Sequence, residues 1–124
     1  MIPPRGRHLV RQGPLEAYAQ WFPSAIDLQP LVRSVSQEGP CVWLDSARPH
    51  PVTGRWSILG WDPWLTLTAR GPAITLKEDG AVRRWGANPW EALRQVLHRY
   101  QSRSLTTPVS GVVGLLGYLS YDLN

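Results

Sequence analysis

Residues 41–63, CVWLDSARPHPVTGRWSILGWDP, decide how this chain reads. The run 41–46 is apolar and turns abruptly polar at Asp45 and Ser46, the pattern of a strand leaving a core. Residues 47–54 contain Pro49, Pro51 and Gly54, which interrupt both helix and ladder. Residues 55–61 then alternate, with Trp56, Ile58 and Gly60 on one side and Ser57, Leu59 and Trp61 on the other, as a second strand would. Asp62-Pro63 turns the chain, because a residue before proline avoids the helical region. Asp45, Ser46, Arg48, His50, Thr53 and Arg55 are thereby gathered in one polar connection between two Trp-rich strands. Whether that connection is a binding site or only a loop is the functional question.

Downstream, residues 64–70 read as a third strand, with Leu65 and Leu67 alternating with Thr66 and Thr68. Gly71-Pro72 is a turn. Residues 73–78 and 81–85 pair around Asp79-Gly80, a dipeptide suited to a tight hairpin. Asn88-Pro89-Trp90-Glu91 is a helix start, with Asn88 as cap, Pro89 in the first turn and Glu91 placed for a capping box. That helix is expected to bury Trp90, Leu93, Val96, Leu97 and Tyr100 and to leave Arg94 and Arg99 outside.

Upstream, residues 1–13 are expected to be a mobile or edge segment, since Pro3, Pro4, Gly6 and Gly13 oppose a helix. The domain proper is placed at 14–124. Pro14 fits the first turn of a short helix, PLEAYAQWF, with Leu15, Tyr18 and Phe22 near one face and Pro23 as its stop. A second helix is predicted over 27–37, capped by Asp27, with Leu28, Leu31, Val32 and Val35 as its apolar stripe and Gly39-Pro40 ending it. After a Ser/Thr/Pro linker at 102–108 comes GVVGLLGYLSYDLN, which reads as an apolar strand. Its glycines at 111, 114 and 117 suggest a bulge or a close backbone approach; their spacing is not a dinucleotide fingerprint.

Composition narrows the class. A chain of 124 residues is one domain, and 43% apolar content argues against global disorder. Seven Trp against one Phe is unusual, and core or interface packing is the simplest use for them. The net charge of +4 comes from scattered Lys and Arg without a run, so no nucleic-acid partner is expected. The lone Cys41 cannot form an internal disulfide, and the three His stand too far apart for zinc spacing. No secretory signal and no apolar run of transmembrane length is present, so a soluble cytoplasmic protein and no membrane partner are expected.

The residues give no convincing catalytic set. Asp45, Ser46 and His50 are close in sequence, but a nucleophilic serine needs a positioned base and an oxyanion hole, and no G-x-S-x-G elbow is present. Separated carboxylates disfavour paired acid/base work or a Mg²⁺ site. Binding is better supported: Ser46 at a strand end could hold an ammonium or carboxylate group, with Arg48 or Arg55 as a carboxylate fork. The plain alternatives are a turn-starting hydroxyl for Ser46 and a solvated strand-edge charge for Arg55. A stand-alone amino-acid-binding module and a purely structural interaction domain both fit these residues.

LDSA followed by GRWSILGWDP resembles the L-E-S-A and G-R-(Y/F)-S-(I/F)-x-G-x-D-P elements at the N-terminal end of anthranilate synthase component I and aminodeoxychorismate synthase component I. WLTLTARG, NPWEALRQVLHRY and GVVGLLGYLSYDLN follow in that family's order, so the resemblance covers about residues 14–124. It implies an α+β fold, mostly antiparallel sheet or sandwich with a few packed helices, forming the N-terminal part of the larger chorismate-utilising α/β sandwich. It also implies a longer protein whose missing C-terminal domain binds chorismate and Mg²⁺, with no catalytic residue and no cofactor in the present residues. A glutamine amidotransferase partner is implied, as is an L-tryptophan pocket at Leu44, Asp45, Ser46, Arg55, Trp56 and Ser57. Asp45 stands where the family has Glu, and Trp56 where it has Tyr or Phe. The S-A-R after Asp45 and the S-I-L-G of the second strand look closer to aminodeoxychorismate synthase, which aminates chorismate for folate precursors. The alternative, anthranilate synthase, serves tryptophan synthesis.

Overall fold

The computed structural model describes residues 7–12, 15–20, 26–46, 48, 50–52, 54, 56–101 and 114–121. Among them are seven strands and two helices: β1 (Arg7–Gln12), β2 (Leu15–Gln20), α1 (Leu28–Glu38), β3 (Cys41–Leu44), β4 (Ile58–Trp61), β5 (Leu65–Arg70), β6 (Ala73–Glu78), β7 (Ala81–Gly86) and α2 (Pro89–Arg99). All strand pairs are antiparallel, in the sheets β1-β2, β3-β4 and β5-β6-β7. The α+β class expected from the sequence is the class observed.

The N-terminal reading needs correction. Residues 15–20, placed in a helix by the Leu15–Tyr18 spacing, form β2, and 7–12 form its partner β1, with Arg7 opposite Gln20 and Gln12 opposite Leu15. Of the two alternatives for the first thirteen residues, 7–12 take the edge-strand one. Local periodicity loses here to a ladder of six paired positions, whose backbone hydrogen bonds no isolated turn of helix could match.

The other helices follow their local signals. Asp27 caps α1 by accepting from the Gln29 amide at 3.0 Å, and Val35 is buried at 6% exposure with Leu28, Leu31 and Val32 half-buried beside it. That stripe lies on the β3-β4 hairpin, against which α1 packs. In α2, Asn88 Oδ1 accepts from the amides of Trp90 (2.9 Å) and Glu91 (3.3 Å), a cap that stabilises a helix by about 1 kcal/mol. Glu91 does not make the capping-box return; its carboxylate is taken by Arg94 at 2.5 Å and Gln95 at 3.5 Å.

The buried side of α2 is rotated from the expected one. Ala92 and Val96 are buried and Pro89, Leu93 and Tyr100 half-buried, whereas Trp90 and Leu97 are exposed at 44% and 49%. Small Ala92 rather than bulky Trp90 is on the buried side of the helix. On β6 the alternation puts Ile74, Leu76 and Glu78 on one face. Glu78 accepts hydrogen bonds from Tyr100 and Arg99, so α2 lies over that face. The turn between β6 and β7 is the expected Asp79-Gly80, with φ of 47° and 81°, the doubly positive pair of a type I′ hairpin.

The Glu78 carboxylate ties three elements together. Tyr100 donates to Oε1, Arg99 reaches Oε2 at 3.0 Å, and Arg83 lies 3.9 Å away on β7. Tyr100 meets Trp64 edge-on at 5.1 Å between ring centroids. The Tyr100 hydrogen bond, helped by Arg99 and Arg83, holds the Glu78 carboxyl below its ordinary range against the opposing effect of desolvation; the same bond raises the Tyr100 hydroxyl. For a lowered carboxyl, the stabilisation is present above the unfolded-state pKa and is lost as pH falls through the folded-state value. For the raised phenol it is present below the unfolded-state pKa and is lost as pH rises through the folded-state value. Tyr100→Phe is therefore expected to lower the thermal midpoint at neutral pH by a few degrees. In thermal melts run from pH 7 down to pH 2, the difference from the parent should shrink in acid; a difference constant with pH would mean that only packing had changed.

The C-terminal apolar segment behaves differently from its sequence reading. Residues 114–121 lie in no strand and are exposed, and a Cβ on Gly114 or Gly117 would meet nothing within 4 Å. The glycine that does mark a close approach is Gly60, where a Cβ would stand 2.7 Å from Leu116 Cδ1. Residues 111–113 and 122–124 of that reading lie outside the described residues. Of the two uses expected for Trp, core and interface packing, the core one is not taken by Trp43, Trp56, Trp61, Trp64 and Trp90, which are 37–51% exposed; Trp85 is half-buried.

Candidate functional site

The β3-β4 ladder pairs Leu44 with Ile58, and the two chains leave it through Asp45-Ser46 and Trp56-Ser57. Two side-chain bonds close the neck beyond the last ladder pair. Ser57 Oγ donates to Asp45 Oδ1 at 2.5 Å, and Ser46 Oγ donates to the Trp56 carbonyl at 2.6 Å. Both are short hydroxyl bonds, and the Asp45 one is charge-assisted. Four residues singled out from the sequence are thus joined in pairs across the neck.

The connection beyond the neck is built on His50 and Gly54. The Val52 amide donates to His50 Nδ1 at 3.2 Å, and the Gly54 amide donates to the His50 carbonyl at 3.1 Å. A ring nitrogen accepting a backbone N–H carries no proton on that atom. Ser46 spends its proton on a carbonyl and His50 spends Nδ1 on a turn, so the two do not form a nucleophile–base pair. Arg48 is exposed, and Thr53 and Arg55 lie outside the described residues.

Asp45 and Ser57 also line an open depression of about 250 Å³ together with Ile26, Asp27, Leu28, Gln29 and Trp43. Pairing alternation explains part of the set: Trp43 precedes Asp45 by two and so shares its side of the hairpin, and the start of α1 lines the same depression. Leu44 belongs to the opposite side, with Ile58 and Gly60, and is 47% exposed. The residues predicted as one pocket are therefore divided. Asp45 and Ser57 reach the depression, while Leu44, Ser46 and Trp56 are not among its lining residues.

Sequence reasoning missed Trp43 and the start of α1. Trp43 was legible from its two-residue offset to Asp45. The α1 contribution was not, because a cap signal says where a helix begins but not what it begins beside.

Chemically, the depression offers two carboxylates, Asp27 and Asp45, each with one oxygen already accepting a hydrogen bond within the chain. Asp45 Oδ1 is used by Ser57, and Oδ2 can accept from a cation such as an ammonium group. Trp43 supplies an aromatic wall. At about 250 Å³ the depression is smaller than the roughly 300–1,000 Å³ of complete ligand pockets, and it is open to solvent. It amounts to one wall of a site. Among the described residues there is no group of three or more His, Cys, Asp or Glu arranged to hold a metal, and no helix is long and apolar enough to cross a membrane.

Two curated relatives are similar to the chain. Anthranilate synthase component 1 of Synechocystis sp. is 33% identical over 81 residues, covering 64% of this chain and 16% of the relative. Anthranilate synthase component 1 of Acetivibrio thermocellus is 24% identical over 94 residues, covering 75% of this chain and 19% of the relative. The chain thus spans less than a fifth of the length of either. No protein-family model matches it, and no solved structure matches it significantly. The similarity supports the resemblance at the level of this family of synthases; neither relative is an aminodeoxychorismate synthase.

Proposed function

We propose that the chain is the N-terminal scaffold region of a chorismate-aminating synthase component I and contributes one wall of an amino-acid pocket at Asp45. The observation that carries this reading is the neck itself. The residues that resemble the family's L-E-S and G-R-(Y/F)-S elements are bonded to each other across the hairpin, Asp45 to Ser57 and Ser46 to the Trp56 carbonyl. The large exposed apolar side chains of this hairpin, Trp43, Leu44, Ile58 and Trp61, suit a region that packs against a further domain. Chorismate and Mg²⁺ would bind in that domain, with ammonia coming from a glutamine amidotransferase partner.

Two products are in play. The S-A-R and S-I-L-G residues favour aminodeoxychorismate; the two similar relatives, both named anthranilate synthase component 1, favour anthranilate. Combining the chain with the C-terminal portion encoded downstream of it, and supplying chorismate, Mg²⁺ and ammonia, separates them. Aminodeoxychorismate is the result expected from the motif reading. Direct release of anthranilate and pyruvate would replace it with the second reading, and no consumption of chorismate would remove both.

The pocket is tested on the same assembly by calorimetric titration with L-tryptophan. Asp45→Asn keeps the Ser57 bond but removes the charge facing an ammonium, which costs about 1.5–3 kcal/mol, or more than tenfold in affinity. Unchanged affinity in Asp45→Asn would place any tryptophan elsewhere.

A further inference from the structure

The β5-β6-β7 sheet has a second face. Ile74, Leu76 and Glu78 point toward α2, so alternation and register put Thr66, Thr68 and Arg70 of β5, Thr75 and Lys77 of β6, and Arg84 of β7 on the outer side. Thr68, Arg70, Lys77 and Arg84 are exposed, and Thr66 and Thr75 half-buried. No strand position on this face is acidic.

The two faces treat their cations oppositely. On the α2 side Arg83 and Arg99 pair with Glu78, and on α2 itself Arg94 pairs with Glu91. On the outer side Arg70, Lys77 and Arg84 have no carboxylate partner among the described residues. Clustered unpaired cations on a rigid sheet repel each other and leave a positive field that an anionic surface would relieve.

Spacing decides what kind of anion. Strands about 4.8 Å apart, rising about 3.4 Å per residue, put the Lys77 and Arg84 Cα atoms about 8 Å apart and Arg70 about 12–14 Å from both. One small anion cannot engage all three, so the ligand is extended. The face has no aromatic side chain on which bases could stack, the feature that sequence-tolerant single-strand binders depend on. Its threonine hydroxyls are instead suited to donate to carboxylates between the cations. We propose that the outer face of β5-β6-β7 docks an acidic surface of another protein chain, with Arg70, Lys77 and Arg84 as its charged contacts. This does not depend on the function proposed above.

The test uses the full chain against immobilised poly-L-glutamate at low ionic strength, with an oligo-dT of equal charge as the competing probe. Binding to poly-L-glutamate that weakens steeply with salt is expected, together with at least a tenfold loss in the triple variant Arg70→Gln/Lys77→Gln/Arg84→Gln. A control triple, Arg33→Gln/Arg48→Gln/Arg94→Gln, removes the same charge elsewhere and should keep most of the binding. Equal loss in both triples would mean that net charge alone is responsible and would overturn the proposal, as would failure to bind poly-L-glutamate. Tighter binding of oligo-dT would overturn it in favour of nucleic acid. Circular dichroism confirms that each triple variant is folded.

Discussion

Ile74→Ala is expected to lower stability by about 2–5 kcal/mol, enough to shift the thermal midpoint by on the order of 10 °C. Ile74 is 1% exposed, the one large side chain fully buried among the described residues. Its companions on the α2 side of the sheet are Leu76, Ala92 and Val96, at 3%, 1% and 7%. Val82→Ala is the matching control, since Val82 is 44% exposed on the other face of the sheet and should lose no more than about 0.5 kcal/mol. Denaturant titrations of both variants check the pair. Similar losses in the two would mean that the core face of the β5-β6-β7 sheet had been assigned to the wrong side.

The elements that read correctly from sequence are those whose cause is local. Asp79-Gly80 specifies its turn through two positive φ values, and Asp27 and Asn88 bond amides two or three residues away. The apolar stripe of α1 needed only its own spacing. What was misread depends on distant partners. Leu15, Tyr18 and Phe22 have helical spacing, yet 15–20 is a strand because 7–12 lies beside it. Large apolar side chains usually go to the core, which puts Trp90 on the buried side of α2 from sequence, but Ala92 takes that position.

The candidate site divides along the same line. That Asp45, Ser46 and Ser57 belong near one another followed from two strands and a resemblance. That Leu44 faces away from Asp45 followed from alternation and could have been read from the sequence. The first turn of α1 against Trp43 could not, because nothing in residues 26–29 names the hairpin on which the helix packs.

Gly54→Ala is expected to dismantle the connection while leaving the sheet and α2 intact. A Cβ at position 54 would run into the Arg48 carbonyl oxygen and lie 2.5 Å from the His50 backbone nitrogen. Both are backbone atoms, the second belonging to the turn that the Gly54 amide closes on the His50 carbonyl, so no change of rotamer relieves the overlap. Such overpacking costs about 1–3 kcal/mol, and here the cheaper response is to open the turn. Opening it pulls on Trp56 and Ser57, only two and three residues on, and so on the bonds to Ser46 and Asp45 that close the neck. The Ile74 cluster shares no residue with this turn, so the main unfolding transition should move by less than a degree or two. The NMR shifts of Ser46, Trp56 and Ser57 should move while those of β6 stay fixed, and tryptophan affinity of the assembled protein should fall at least tenfold if Asp45 contacts the ligand. Gly60→Ala is the comparison, because there the obstructing atom is the end of the Leu116 side chain, which can swing aside. If Gly54→Ala left the shifts of Ser46, Trp56 and Ser57 as in the parent, the turn would not be what positions the neck, and Asp45 would owe its placement to the β3-β4 ladder alone.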